Sequence, residues 1–168
     1  KSDFSVNGNV SNYMEYVFGK GTIKGTMNFN STLLDLNEFM TSDTTATTQD
    51  TSKLSVIPVP NNIDFTLHSN LKTVKMMDYV ITNGTGDIFV KDAVANLSNV
   101  KFNLIGGAFL VNGTYDTKDI HQPKFDFGLN ADHVSIQEAA NTFSIVKTYA
   151  PIAGNAKGNC GVDFKIKS

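Results

Sequence analysis

Residues Thr26–Met40 read TMNFNSTLLDLNEFM, and Asp126–Ala140 read DFGLNADHVSIQEAA. Laid side by side, Phe29 matches Leu129, Asn30 matches Asn130, Leu34 matches Val134, Leu36 matches Ile136 and Glu38 matches Glu138. Each copy alternates apolar and polar residues, as a half-buried strand does, and then switches to a helix start. Asp35-Leu36-Asn37-Glu38 and Ser135-Ile136-Gln137-Glu138 are both capping boxes, with a polar N-cap and a glutamate three residues on. An apolar residue precedes each cap (Leu34, Val134), and a candidate staple partner follows (Phe39, Ala139). The two copies read as one strand-to-helix unit used twice. Such repeats favour an elongated array that works through its surface rather than through one catalytic pocket.

Outward from these junctions the pattern is mostly period two. Ile23, Gly25, Met27 and Phe29 share a face in a first clear strand. Residues 41–55, TSDTTATTQDTSKLS, are polar and aperiodic, and read as a mobile loop. The prolines of Val56–Pro60 suit an extended lead-in rather than a central strand. Further strands are expected at Ile63/Phe65/Leu67, around Val74–Thr82, at Asp87–Lys91 and over Asn99–Ile105 with Phe102 and Leu104 on one face. Gly106-Gly107 suits both central positions of a tight hairpin turn. Strands then follow over Ala108–Tyr115, at Phe125/Phe127/Leu129/Ala131, and at Cys160/Val162/Phe164/Ile166. One helix is expected from Ile136 to about Tyr149. Single apolar faces and short connections indicate an antiparallel meander. The expected fold is mainly β with short α-helices: a curved antiparallel sheet, an open groove or half-barrel, built from strand–helix units. Three segments are expected: 1–40, a partial preceding unit; 41–55, the polar loop; and 56–168, the main β module.

The chain has 168 residues, a formal net charge of −2 and a pI near 5.9, a balance that argues against nucleic acid. It contains no arginine, so bidentate phosphate clamps are unavailable. The single Cys160 cannot form an internal disulfide. No apolar run approaches the ~18 residues of a membrane span, and the chain begins at Lys1, which reads as a fragment or processed form. Catalytic and metal motifs are not found. His68, His121 and His133 lie far apart, without H-x3-H or C-x2-C spacing. There is no G-x-S-x-G elbow and no P-loop lysine after Gly154, Gly158 and Gly161. Asp64, Asp126 and Asp163 alternate with apolar residues and read as solvated strand faces. Neither an enzyme nor a cofactor is expected.

From Val59 the order of segments resembles the C-terminal region of the AsmA family of bacterial envelope proteins. The resemblance is carried by PNNIDFTLHSNLKTVKM, GDIFVKDAVANLSNVKFNLIGGAFLVNGTYD, PKFDFGLNADHVSIQEAANTF and GNAKGNCGVDFKIK, in that order. GTIKGTMNFNSTLLDLNEFM looks like the preceding unit. These motifs are structural, so no lipid-contact residue transfers by motif. The resemblance implies a periplasmic segment of a large Gram-negative protein anchored in the inner membrane, with the anchor and flanking domains lying elsewhere. It further implies a repeating β-groove of the bridge-like lipid-transfer kind, taking phospholipid acyl chains and serving outer-membrane biogenesis.

The residues expected on the apolar face are Ile63, Phe65, Leu67, Phe102, Leu104, Phe125, Phe127, Leu129, Val162 and Phe164. Alternation alone leaves two states open for them, a groove lining or a sealed core. Two other functions fit the same residues. One is a structural or assembly module whose sheet edges pair with neighbours. The other is a glycan-binding β-sandwich, suggested by the Asn/Thr-rich faces and by Tyr13, Tyr16, Tyr79 and Tyr115.

Overall fold

The computed structural model describes residues 1–19, 21–39 and 56–168. Nine strands form one sheet: β1 (Ser5–Ser11), β2 (Ile23–Ser31), β3 (Leu34–Asp35), β4 (Ile63–Met76), β5 (Tyr79–Lys91), β6 (Val94–Leu104), β7 (Gly107–Asp116), β8 (Lys124–Ser135) and β9 (Asn159–Lys167). Their spatial order is β1-β2-β4-β5-β6-β7-β8-β9, with β3 pairing alongside β4. The sheet does not close, so β1 and β9 are its two edges. Short helices α1 (Tyr13–Val17), α2 (Ile136–Thr142) and α3 (Ser144–Tyr149) and two 3-10 turns, Leu36–Glu38 and Pro151–Asn155, are the other elements among the described residues.

The meander from β4 to β9 is antiparallel, as is the β1–β2 pair. The sheet as a whole is mixed, because β2 and β3 run parallel to β4, Ile23 opposite Ile63 and Leu34 opposite Val74. Parallel neighbours need a long crossover rather than a hairpin, and residues 36–62 supply that length. The expected loop at 41–55 falls in this crossover and lies outside the described residues. Segments 1–40 and 56–168 therefore share one hydrogen-bonded sheet.

Three expectations are corrected and two elements are added. The strand expected around Val74–Thr82 straddles a hairpin: β4 runs on to Met76, and the chain turns at Met77-Asp78 with Met77 at φ 53°. β1 and α1 had no sequence assignment. The Gly-Gly hairpin turns one residue early, at Ile105 (φ 46°) and Gly106 (φ 75°), with Gly107 already in β7. Gly107 is needed in the strand because a Cβ there would meet Val134 Cγ2 at 2.7 Å and the Asp132 carbonyl oxygen at 3.0 Å. Finally, the helix expected over 136–149 breaks at Phe143, which is extended (φ −102°, ψ 114°). The break lets the Phe143 ring stack on Tyr79 of β5, centroids 5.8 Å apart.

Both N-caps form where expected, at the same end of the sheet, but neither capping box closes: the Asp35 amide donates to Ser2 Oγ and the Ser135 amide to the Ile105 carbonyl, not to the glutamates three residues on. Asp35 accepts a hydrogen bond from the Asn37 amide at 3.1 Å, and Ser135 Oγ accepts from the Glu138 amide at 3.3 Å. Each follows its strand directly. The first opens a single 3-10 turn, and Phe39 stays 58% exposed rather than acting as a staple. Only the second opens an α-helix.

The strands also change phase part-way along. In β4 the inward residues are Ile63, Phe65, Leu67, Ser69 and Leu71, and then Val74 and Met76. Register shifts mark the same change in β6 between Leu97 and Val100, and in β8 between Ala131 and Val134. Asn99 and His133 take positive φ within these shifts, and Asn83 within a further one in β5 between Thr82 and Thr85. Such bulges bend a strand and increase its twist, and here they keep apolar residues on one side before and after the bend.

Candidate binding face

Directly opposed residues on neighbouring strands point to the same side of a sheet. One row therefore runs Phe65–Val90–Ala95–Tyr115–Phe125 across β4 to β8. The next runs Leu67–Ile88–Leu97–Gly113–Phe127–Ile166 and reaches β9. Beyond the bulges, Val100–Val111–Leu129–Phe164 and Phe102–Phe109–Ala131–Val162 continue the same side. Ile63 lies beside Ile23, and Leu104 opposite Gly107. All ten residues expected on one apolar face thus share one face. It extends on through Met27 and Phe29 to Val6 and Gly8 of β1.

Sequence reading missed several members of this face, notably Leu71, Val74, Ile81 and Leu97. The phase change hid the first three, and Leu97 sits among Asn and Ser residues of β6. The signal that could have found them is an apolar residue three positions after the last in-phase one, as in Leu71/Val74 and Leu97/Val100.

The face is not a sealed core. Eight of the ten residues are half-buried, and Val162 and Phe164 are 43% and 52% exposed. Among the described residues no large side chain is fully buried; the buried apolar residues are Leu34, Val74, Ala93, Ala131, Val134, Ala140 and Ala153. The accessible surface is 11862 Å², against about 8,100 Å² for a compact monomer of this mass. The seventeen residues outside the description could supply at most about 2,700 Å² of that excess at unfolded-chain values.

Two apolar depressions lie on the face. One, of about 250 Å³, is floored by Leu71, Val74, Ile81, Ile88, Val100 and Phe102, with Gly84 and Gly86 leaving room above β5. The other, of about 230 Å³, lies between Phe109, Leu129, Val134 and Val162 below and Ile136, Ala139, Phe143 and Val146 above. Thus α2 and α3 roof one end of the face, and the rest of it has no roof among the described residues. Two phenylalanines lie against glycines on adjacent strands. A Cβ on Gly25 would meet the Phe65 ring at 2.5 Å, and one on Gly113 would fall inside the Phe127 ring's contact distance.

The opposite side is polar. His68 Nδ1 lies 2.6 Å from Asp87 Oδ1, Lys91 pairs with Asp64 at 3.1 Å and Lys167 with Asp126 at 3.5 Å. The pair with Asp64 raises the Lys91 pKa. His121 is exposed on the β7–β8 loop, and His133 pairs with its neighbour Asp132. Among the described residues no group of three or more His, Cys, Asp or Glu side chains is placed to hold a metal ion. No described helix is long and apolar enough to cross a membrane. The four tyrosines do not converge: Tyr13 and Tyr16 stand on α1, Tyr79 stacks on Phe143, and Tyr115 lies on the apolar face.

Comparison with protein-family models, with curated proteins and with solved structures finds no match.

Proposed function

We propose that this chain is a non-catalytic, AsmA-like segment of a bacterial cell-envelope protein whose apolar sheet face takes phospholipid acyl chains. The observation that carries this reading is the continuous, unburied apolar face shared by eight strands. A one-sided sheet must bury its apolar side against something, and only its α2–α3 end is roofed among the described residues. Eight strands at about 4.8 Å spacing span about 34 Å, wider than the half-thickness, about 15 Å, of a bilayer's hydrocarbon core. Each methylene buried there contributes about 0.8 kcal/mol. The face carries no lysine, aspartate or glutamate in the rows traced above, so recognition would fall on the chains and not on a headgroup. The periplasmic location, the inner-membrane anchor and the flanking domains belong to the same proposal, as does the role in lipid transport or outer-membrane biogenesis. Structural assembly is the second reading, favoured by the two edges β1 and β9, unpaired among the described residues.

Native mass spectrometry of the purified protein, with lipid extraction, tests the first reading. Co-purifying phospholipid is expected. Phe127→Asp should sharply reduce bound lipid while the sheet still melts cooperatively, because Phe127 is only half-buried. Lipid-free wild-type protein that Phe127→Asp unfolds would reject the groove and leave the structural module.

A further inference from the structure

Strand β1 reads Ser5-Val6-Asn7-Gly8-Asn9-Val10-Ser11, which is the same in both directions about Gly8. It is an edge strand, and every one of its residues is exposed. Edges in soluble proteins are ordinarily guarded by charge, proline or a bulge. This one has no charged residue, no proline and no register shift against β2. At the other edge, β9 carries Asp163, Lys165 and Lys167. The chain leaves β1 through Asn12 at φ 60°, and α1 packs back towards β2, so among the described residues no strand pairs with the outer side of β1.

We infer that β1 pairs antiparallel with β1 of a second copy of this chain, about a two-fold axis perpendicular to the sheet and midway between the two Gly8 residues. A closed two-fold interface brings the same patch of both subunits together. In this register Ser5 lies opposite Ser11 of the second copy, Val6 opposite Val10, Asn7 opposite Asn9, and Gly8 opposite Gly8. Every side chain meets its own kind, on either choice of which amides point outwards. The perpendicular axis keeps the faces in phase: Val6 and Val10, 53% and 48% exposed, cover one another on the apolar side. The asparagines meet on the polar side, where Asn7 Oδ1 already accepts from Asn28 Nδ2 at 3.2 Å. The two apolar faces then become one surface of sixteen strands in line, β3 aside. This pairing stands whatever occupies that surface.

Sedimentation velocity over a concentration series tests it on the chain as it is. A reversible dimer is expected. Asn7→Lys/Asn9→Lys sets two like-charge pairs across the axis and should raise the dimer dissociation constant about tenfold or more. Asn7→Lys/Asn9→Glu loses the same asparagines but sets opposite charges across the axis. It should restore dimerisation to near the wild-type value and make it salt-sensitive. Circular dichroism of each variant checks that the sheet is intact. A monomer at all concentrations overturns the inference. So does a dimer that neither variant changes, which would place the contact at β9 or elsewhere, or one that both variants weaken equally.

Discussion

The two strand-to-helix junctions share a plan and differ in what they support. At the first, Ser31 and Leu34 are buried on either side of the exposed or half-buried pair Thr32-Leu33, and Asp35 caps. At the second, Ala131 and Val134 are buried on either side of Asp132-His133, and Ser135 caps. The backbone amides freed at the two irregularities find their acceptors differently. Asp3, from the segment before β1, accepts from the amides of Thr32 (3.0 Å) and Leu33 (2.7 Å). At the second junction Asp132 itself accepts from the His133 amide at 2.9 Å. After the caps the paths part. Asn37 brackets the β4–β5 turn, its Oδ1 accepting from the Met77 amide at 2.7 Å, and the helical turn ends. Ala139 and Ala140 instead continue a helix that folds over the apolar face and packs on the 3-10 turn at Pro151–Asn155. A cap decides where a helix begins; the side chains behind it, and what they can bury, decide whether it lasts.

The strongest way to break this contrast is Ala140→Asp. Ala140 is wholly buried, so an unpaired carboxylate there should cost about 3 kcal/mol. The helical far-UV signal should fall and Tyr79 should lose its packing, while the sheet signal survives. Cooperative loss of both signals would show that the roof and the sheet are one unit. Next in size, Leu34→Ala and Val134→Ala should each destabilise by about 2 kcal/mol in denaturant unfolding. A near-neutral Leu34→Ala would end the equivalence of the two junctions. Ser135→Ala should cost about 1 kcal/mol, and Asp35→Ala less, since it releases one turn rather than a helix.

The smallest effect is one of pH. The Leu33 amide, the leading cause, with the Thr32 amide and the Ser31 hydroxyl after it, holds the Asp3 carboxyl below its ordinary range. Glu38 is pulled down to about 2, chiefly by the Ser2 amide that donates to it. A carboxylate with a lowered folded pKa stabilises fully above its unfolded pKa, and that contribution is lost as pH falls through the folded value. Acidification from about pH 5 to about pH 2 should therefore loosen the first junction. Hydrogen exchange at Thr32 and Leu33 should rise over that window, and Asp3→Asn should flatten the change. Exchange that rises equally in the variant would assign the acid response elsewhere.

Period-two alternation made the apolar face legible, and the polar N-caps marked both helix starts, because both depend on local chemistry. The parallel neighbour relation of β2 and β4 was not legible, since a strand alternates alike beside a parallel or an antiparallel partner. β1 was missed because Gly8 interrupts Val6 and Val10 and leaves only two apolar side chains to mark a period. The β4–β5 turn was missed because Met77-Asp78 lacks the glycine or asparagine that usually signals positive φ. The break at Phe143 answers to Tyr79, sixty-four positions earlier, and no local window contains both. Of the face itself, the ten residues read from the sequence all fall together, whereas its extent past the bulges needed the strand registers.

Gly113 and Phe127 share the volume of a single side chain, one giving up the space that the other fills. Neither position can drift alone. A larger residue at 113 would expel the ring, and a smaller one at 127 would bare the β7 backbone. Among descendants of this chain the two sites should therefore be inherited as one character, and the same bond of ancestry should tie Gly25 to Phe65.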